Sequence, residues 1–187
     1  MDRHVAFDEV KYPNSWQIFR KQLNLVERPL KPGVSCQIME LRKFEKEDWN
    51  DVKNIYDLSK PDEMRGSVDL RAIVPLEKDE KNLILFKESQ ILIVEENNKI
   101  LGFGGHKGNY ISWLFIHPSH RRKGVAQTIL SHILSKLSGK ITLNVGKHNE
   151  AAKSLYFKFG FKVEREFTGN FKGFKSEALT LCLHESS

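Results

Sequence analysis

Cysteine is scarce in this chain, and its scarcity limits what kind of protein it can be. The 187 residues include two cysteines, Cys36 and Cys182, each in a predicted strand. Their spacing matches neither a disulfide framework nor a metal-binding cluster, so we expect reduced thiols and no bound metal. Long apolar runs are missing as well, including an apolar signal region at the start. We therefore expect a cytoplasmic protein with no membrane partner.

Acidic residues are missing from residues 97–149, although the whole chain contains 24 of them. This acid-free stretch has a net charge of +8, whereas the whole chain has +6, so the remainder is slightly acidic. A region of one charge sign attracts ligands of the opposite sign. We find no interleaved aromatic and basic repeat and no zinc-finger spacing, so a nucleic-acid partner is the weaker interpretation. The eight basic residues of the stretch are Lys99, Lys107, Arg121, Arg122, Lys123, Lys136, Lys140 and Lys147.

A strand, a basic turn and a helix follow one another inside the acid-free stretch. Pro118 ends an apolar strand, because proline cannot donate a backbone hydrogen bond, and Gly124 allows a ligand to approach the backbone closely. From Val125 to about Leu137 the apolar residues recur at helical spacing. The free amides of that helix N-terminus, beside three basic side chains, predict a polyphosphate site. Taken alone, the same residues would also fit a basic cap on an ordinary helix.

A second helix with recognisable ends follows the next predicted strand, residues 141–145. Asn149 is a good N-cap, Glu150 suits the first turn, and Gly160 suits the left-handed residue after a helix. Phe161 is placed to fold back onto that helix. Tyr156 lies on its apolar face, where an isolated tyrosine would normally be a core residue.

The rest of the chain predicts one sheet with helices. Residues 61–89 contain Pro61, Gly66 and Pro75 and predict a loop that leads into a short helix. Only the strand 110–117, helix 124–138 and strand 141–145 provide the crossover that parallel pairing requires. The other predicted elements are a strand at 36–44, a helix at 46–58, and hairpins formed by 91–95 with 99–106 and by 162–167 with 175–183 around Thr168–Asn170.

These elements predict an α/β (α+β) fold with a single mixed, mostly antiparallel sheet and helices on both faces. We expect residues 34–187 to form one domain and residues 1–33 to form an N-terminal extension with a short helix near residues 15–26. That helix is expected to pack on the flank of the domain; a role in a homodimer or at the substrate site is the alternative.

The two motifs together resemble the GNAT (GCN5-related N-acetyltransferase) superfamily. The first is Ile116-x-Pro118-x-x-Arg121-x-x-Gly124-x-Ala126, and the second is Asn149-x-x-Ala152-x-x-x-Tyr156-x-x-x-Gly160-Phe161. Each is weak alone, but both occur in the expected order with a strand between them. The resemblance covers the second half of the chain and implies an acyl-CoA N-acyltransferase fold, with acetyl-CoA as co-substrate and an amine as acceptor.

The resemblance also implies roles for individual residues. The pyrophosphate of acetyl-CoA would lie on the turn, its pantetheine arm would run along the preceding strand, and those two parallel strands would splay apart. A backbone N–H near Leu114 or Phe115 would stabilise the oxyanion, and Tyr156 would protonate the leaving thiolate as general acid. The expected cofactor-binding residues are Leu114, Phe115, Ile116, His117, Arg121, Arg122, Lys123, Gly124, Val125, Ala126, Asn149 and Tyr156.

A general base is harder to assign, because the strand from Tyr110 to Ile116 contains no acid. The candidates are Glu95 or Glu96, His106, His117, and a water held by backbone carbonyls. His106 is the one we would test first, since histidine titrates near pH 6.5 and its strand neighbours the cofactor strand.

The acceptor is left open by the sequence. Acidic residues before and within 61–89 could receive a cationic amine, and a small-molecule amine is slightly favoured over a protein lysine or N-terminus. A non-catalytic acyl-CoA-binding module is the alternative to an enzyme.

Overall fold

The structure is a computed structural model that describes residues 39–184. The predicted N-terminal extension, its helix near residues 15–26 and the first residues of the predicted strand at 36–44 lie outside this range. The domain boundary after residue 33 therefore stays a prediction.

One seven-stranded sheet forms the centre of the described residues, in the order β1-β2-β3-β4-β5-β7-β6. All neighbouring strands are antiparallel except β4 and β5, which are parallel. The predicted mixed, mostly antiparallel sheet is confirmed. The strands are β1 (Glu40–Lys43), β2 (Gln90–Glu96), β3 (Lys99–Lys107), β4 (Tyr110–Ile116), β5 (Ile141–Gly146), β6 (Lys162–Phe171) and β7 (Phe174–Leu183). The helices are α1 (Trp49–Met64), α2 (Glu80–Glu88), α3 (Val125–Lys136) and α4 (Glu150–Lys158).

Helices cover both faces of the sheet. On one face Phe103 packs in a core with Tyr56 of α1 and Phe86 of α2. The next residue, Gly104, faces the opposite side, where a Cβ would lie 2.4 Å from Cγ2 of Ile129 in α3. Because neighbouring strand residues point to opposite faces, these contacts place α1 and α2 on one side and α3 on the other.

The first hairpin is confirmed and the second is longer than predicted. Asn97 and Asn98 join β2 to β3 with φ of 53° and 58°, as a two-residue turn requires. The second turn is Lys172–Gly173, with φ of 51° and 87°, and not Thr168–Asn170. Residues 168–170 instead pair with β7. With positive φ at both residues, Lys172 and Gly173 form a two-residue turn of the same kind as Asn97–Asn98.

The helix predicted at 46–58 begins with a short 3₁₀ turn and then continues to Met64, so the expected loop at Pro61 is wrong. Proline removes one intrahelical hydrogen bond but does not prevent another turn when tertiary contacts stabilise it. One such contact is Ser59 Oγ, which donates to the Ile116 carbonyl at 2.9 Å, and within the helix Lys60 forms an ion pair with Glu63 across Pro61.

Strands β4 and β5 pair over a very short length. Their register contains two pairs, Tyr110 with Thr142 and Ile111 with Leu143. Beyond Ile111 the strands separate, as the resemblance implied, and the edge of β4 that faces β5 is left open. The separation positions the site described below.

None of the helices in residues 39–184 is both long enough and apolar enough to cross a membrane. The cytoplasmic location stays a prediction.

Candidate active site

A cavity of about 460 Å³ lies where β4 and β5 separate. It is bounded by the open edge of β4, the turn before α3, one side of α4 along its length and the last turns of α1. Its lining includes Ser59, Asp62 and Glu63 from α1, Leu114, Phe115 and Ile116 from β4, Arg121, Arg122, Gly124, Val125, Ala126 and Gln127 around the start of α3, and Asn149, Ala152 and Tyr156 in or beside α4.

Ten of the twelve expected cofactor-binding residues line this cavity. The two that do not are His117 and Lys123. The His117 Nδ1 lies 2.8 Å from Ser119 Oγ, and the Lys123 Nζ lies 3.4 Å from Nδ1 of His120. Both side chains therefore contact other residues of the turn. A third residue of this turn, His120, does line the cavity.

The N-terminus of α3 is well suited to bind an anion. Gly124 is the N-cap with a φ of 89°, a conformation that favours glycine, and a Cβ there would meet only Gln127 Oε1 at 3.9 Å. The space beside Gly124 is thus open to a ligand. The first amides of α3 have no partner within the helix, so they and the helix dipole attract negative charge.

Arg121 is not free to act on an anion in this structure. Its Nη1 lies 2.7 Å from Oδ2 of Asp62, which reaches the cavity from α1. The hydrogen bond from Arg121 lowers the pKa of the Asp62 carboxyl, so this acid stays ionised. A ligand phosphate would compete with Asp62 for the guanidinium.

Asn149 has both a structural and a surface role. Its Oδ1 accepts a hydrogen bond from the Ala152 amide at 3.1 Å, as predicted for an N-cap. Its side-chain amide has no hydrogen-bond partner among residues 39–184, and Asn149 lines the cavity. The donor end of this side chain is therefore available to a ligand carbonyl.

Tyr156 is 7% exposed and lines the cavity from α4. Its ring packs edge-on against Phe161, with 5.7 Å between ring centroids. Burial raises the pKa of the phenol well above its usual range, and the charge of Glu63 adds to the effect. Within the described part of the chain its hydroxyl has no hydrogen-bond partner. Tyr156 is therefore a neutral phenol at neutral pH and can donate a proton to a ligand.

The structure does not bring His106 into the cavity. It lies beside the turn between β3 and β4, 7% exposed, and its Nδ1 lies 2.8 Å from the Gly108 carbonyl oxygen. That end of β3 is opposite the end where Ile116 of β4 lines the cavity, since Gly102 pairs with Ile116. A hydrogen bond within the turn explains the histidine without a catalytic role.

Sequence reasoning missed the two carboxylates of the cavity, Asp62 and Glu63. The sequence places both in the predicted loop at 61–89, because the predicted helix ends at residue 58. A helical spacing that runs from Ile55 through Ser59 to Glu63 could have placed Glu63 on the buried face of α1. The acid-free stretch therefore lines a site whose acids come from elsewhere in the chain.

The described residues 39–184 contain no group of three or more His, Cys, Asp or Glu side chains that could hold a metal ion. Independence from metal stays a prediction.

Comparison with known proteins finds a family model and relatives that match part of the chain. A family model described as "Acetyltransferase (GNAT) domain" matches residues 87–163. Human "Cysteine-rich protein 2-binding protein" is 40% identical over 76 residues, which are 40% of this chain and 10% of that protein. "Peptidyl-lysine N-acetyltransferase YjaB" of Escherichia coli is 39% identical over 70 residues, or 37% of this chain and 47% of the relative. The chain thus spans less than half the length of these curated relatives.

A solved structure shares the fold. It is described as yncA, a putative acetyltransferase from Salmonella typhimurium with its cofactor acetyl-CoA. The TM-score is 0.60 at 17% identity, and the match covers 80% of this chain and 95% of that chain.

Proposed function

We propose that this chain, whose residues 87–163 match the GNAT family model, is a member of that superfamily and transfers the acetyl group of acetyl-CoA to a primary amine. The observation that carries the proposal is one cavity lined by an anion-binding helix terminus, an open strand edge and a buried neutral phenol. The first attracts a pyrophosphate, the second can pair with an extended amide chain, and the third can donate a proton.

The residues present fit acetyl-CoA as co-substrate. Amides of Val125 and Ala126, with Gly124 leaving open space, would receive the pyrophosphate. The backbone groups of β4 that β5 leaves unpaired would bind the amides of the pantetheine arm, because such groups need partners when a ligand excludes water. The free amide of Asn149 would hold the arm from the other side.

Two groups would act on the thioester. A backbone N–H at Leu114 or Phe115 would donate to the carbonyl oxygen as negative charge develops there. Tyr156 would protonate the departing thiolate. Its phenol is suited to this role because it is neutral and its hydroxyl has no hydrogen-bond partner among residues 39–184.

Replacement of Tyr156 tests this assignment. We expect Tyr156→Phe to lower kcat at least about tenfold with little change in the Kd of acetyl-CoA, because the phenol acts on the leaving group. Calorimetry would measure the Kd and thiol release would measure turnover across a panel of amines. Tight binding of acetyl-CoA without turnover by the wild type would indicate the alternative, a non-catalytic acyl-CoA-binding module.

For the acceptor we propose a small-molecule amine. The chain after α1 closes tightly onto the sheet beside Glu63: Val68 forms a bridge with Ser176, and the Glu177 amide donates to the Ser67 carbonyl at 2.8 Å. Because these contacts restrict the space beside Glu63, they favour an acceptor amine of small cross-section. The likeness to a peptidyl-lysine N-acetyltransferase favours a second candidate, a lysine side chain of a protein. Comparing kcat/KM for free alkylamines with that for lysine peptides distinguishes the two.

A further inference from the structure

Glu63 is the one cavity-lining carboxylate in residues 39–184 with an oxygen that has no partner. Both oxygens of the neighbouring Asp62 are paired, Oδ1 with Arg65 at 2.8 Å and Oδ2 with Arg121 at 2.7 Å. The Oε2 of Glu63 pairs with Lys60 Nζ at 2.9 Å, and its Oε1 has no hydrogen-bond partner in the described part of the chain. Of these two adjacent carboxylates, Asp62 is fully paired and Glu63 has one oxygen that can accept a hydrogen bond from a ligand.

The position of Glu63 is held firmly. Lys60 is 11% exposed, and its Nζ lies 5.5 Å from the ring centroid of Tyr56 and 5.6 Å from that of Phe115. An ammonium held over two aromatic faces has little freedom to move away. The Glu63 backbone oxygen also lies against β5, 3.1 Å from where a Cβ on Gly146 would be. Backbone and side chain are thus both fixed, with Oε1 left open.

The charge of Glu63 acts on nearby tyrosine hydroxyls. Burial raises the pKa of Tyr156 on α4, of Tyr110 on β4 and of Tyr56 on α1, and the negative charge of Glu63 adds to each rise. Of these three, Tyr156 lines the cavity with Glu63 and is the proposed acid. Lys60 is the cation that contacts it.

We propose that Glu63 binds the acceptor ammonium through Oε1 and removes its proton as the general base. This assignment rests on the proposed N-acetyltransfer. It also provides the base that the acid-free stretch lacks.

The protons and bonds balance as follows. One N–H bond of the ammonium breaks and its proton moves to Oε1 of Glu63, after which the amine lone pair forms the C–N bond. The C–S bond breaks, and the thiolate takes the proton of Tyr156. The second proton lost by nitrogen restores the Tyr156 phenol, and the proton on Glu63 leaves to water. The products are an N-alkyl acetamide, free CoA thiol and one released proton.

The two residues would assist each other in this order of steps. Burial holds the proton on Tyr156, and while Glu63 is ionised its negative charge adds to that effect. Once Glu63 has taken the proton of the amine, that charge is gone and the phenol becomes a stronger acid. The change comes just before the thiolate needs a proton.

The test is the pH dependence of kcat/KM for an alkylamine, in wild type and in Glu63→Gln. Between about pH 6 and 9 carboxylates are ionised and alkylamines are protonated, so an enzyme with a carboxylate base has a nearly flat profile. Without the base only the neutral amine reacts, and its fraction rises about tenfold per pH unit. We expect Glu63→Gln to lose at least about 100-fold at pH 7 and to recover most of that loss by pH 9.

Two controls accompany the test. Glu40→Gln makes the same change at an exposed position on β1 and should keep the wild-type profile. The Kd of acetyl-CoA should stay within about twofold in both variants, which shows that Glu63→Gln is folded.

The outcomes separate two failures. If wild type releases no thiol with any amine, the proposed function is wrong and the assignment of Glu63 falls with it. If wild type is active and Glu63→Gln keeps its rate, or loses the same factor at every pH, Glu63 is not the base and the proposed function stands.

Discussion

Replacing Gly146 with alanine would test whether α1 must lie tightly against β5. Gly146 is the last residue of β5, with an ordinary backbone conformation. An added Cβ would lie 2.9 Å from Ser67 Oγ, 3.3 Å from Ser67 Cβ and 3.1 Å from the backbone oxygen of Glu63. A backbone oxygen cannot rotate away, so the end of α1 must move by a few tenths of an ångström.

The structure allows the size of this effect to be worked out. Overpacking a tight contact costs about 1 to 3 kcal/mol, and alanine regains about 0.4 to 1 kcal/mol by restricting the unfolded chain. We therefore expect Gly146→Ala to lose about 1 to 2 kcal/mol of unfolding free energy, which lowers Tm by about 2 to 8 °C at this chain length. Because Glu63 moves with the helix, kcat/KM for the amine should also fall, by up to about tenfold.

Gly169→Ala is the matched control. Gly169 is also a strand residue of ordinary conformation, but a Cβ there would meet Ser176 Oγ at 3.5 Å, which is normal contact. Urea titration of both variants gives the free energies, and thiol release gives the rates. If Gly146→Ala is as stable and as active as Gly169→Ala, the close packing of α1 on β5 does not position Glu63 and the reasoning is refuted.

Three further predictions concern charge and backbone. Asp62→Asn frees Arg121 and should tighten acetyl-CoA about two- to fivefold by calorimetry, since an exposed ion pair is worth up to about 1 kcal/mol; unchanged affinity would exclude this competition. Gly124→Ala should cost about 1 to 2 kcal/mol in urea, because its φ is 89°, and should weaken acetyl-CoA binding. Hydrogen bonding to Arg42 lowers the pKa of Asp48, so the contribution of this ion pair to the unfolding free energy is complete above about pH 4 and is lost as the pH falls further. In urea titrations across this range, Asp48→Asn should make the unfolding free energy depend less on pH than it does in wild type.

The helix starts that are proposed to hold the cofactor could be located from the sequence because their signals are local. Gly124 and Asn149 mark the starts of α3 and α4, and each does so within a few residues of sequence. The short Asn97–Asn98 turn is local in the same way. Backbone conformation and capping depend on neighbours along the chain, so a single sequence contains them.

The acceptor side could not be predicted because its contacts are distant in sequence. Ser59 bonds to Ile116, and Gly146 packs on Glu63, across 57 and 83 residues respectively. Local rules favoured a break at Pro61, and contacts such as that of Ser59 help to explain why the helix continues. The sequence therefore offered candidate bases on the strands, His106 first, whereas the proposed base Glu63 lies on α1.

Charge explains both why acidic residues are missing around the start of α3 and why an acidic residue, Glu63, reaches the cavity from α1. An unpaired carboxylate beside the N-terminus of α3 would repel a pyrophosphate, so residues 97–149 are favourable without one. The proposed amine site would need the opposite, a carboxylate with a free oxygen on an element that does not hold phosphate. Asp62 fits the same requirement, since it reaches the cavity but is paired with Arg121 and Arg65. In the proposed function, a paired acid and an open one on consecutive residues would thus separate phosphate binding from amine binding within one cavity.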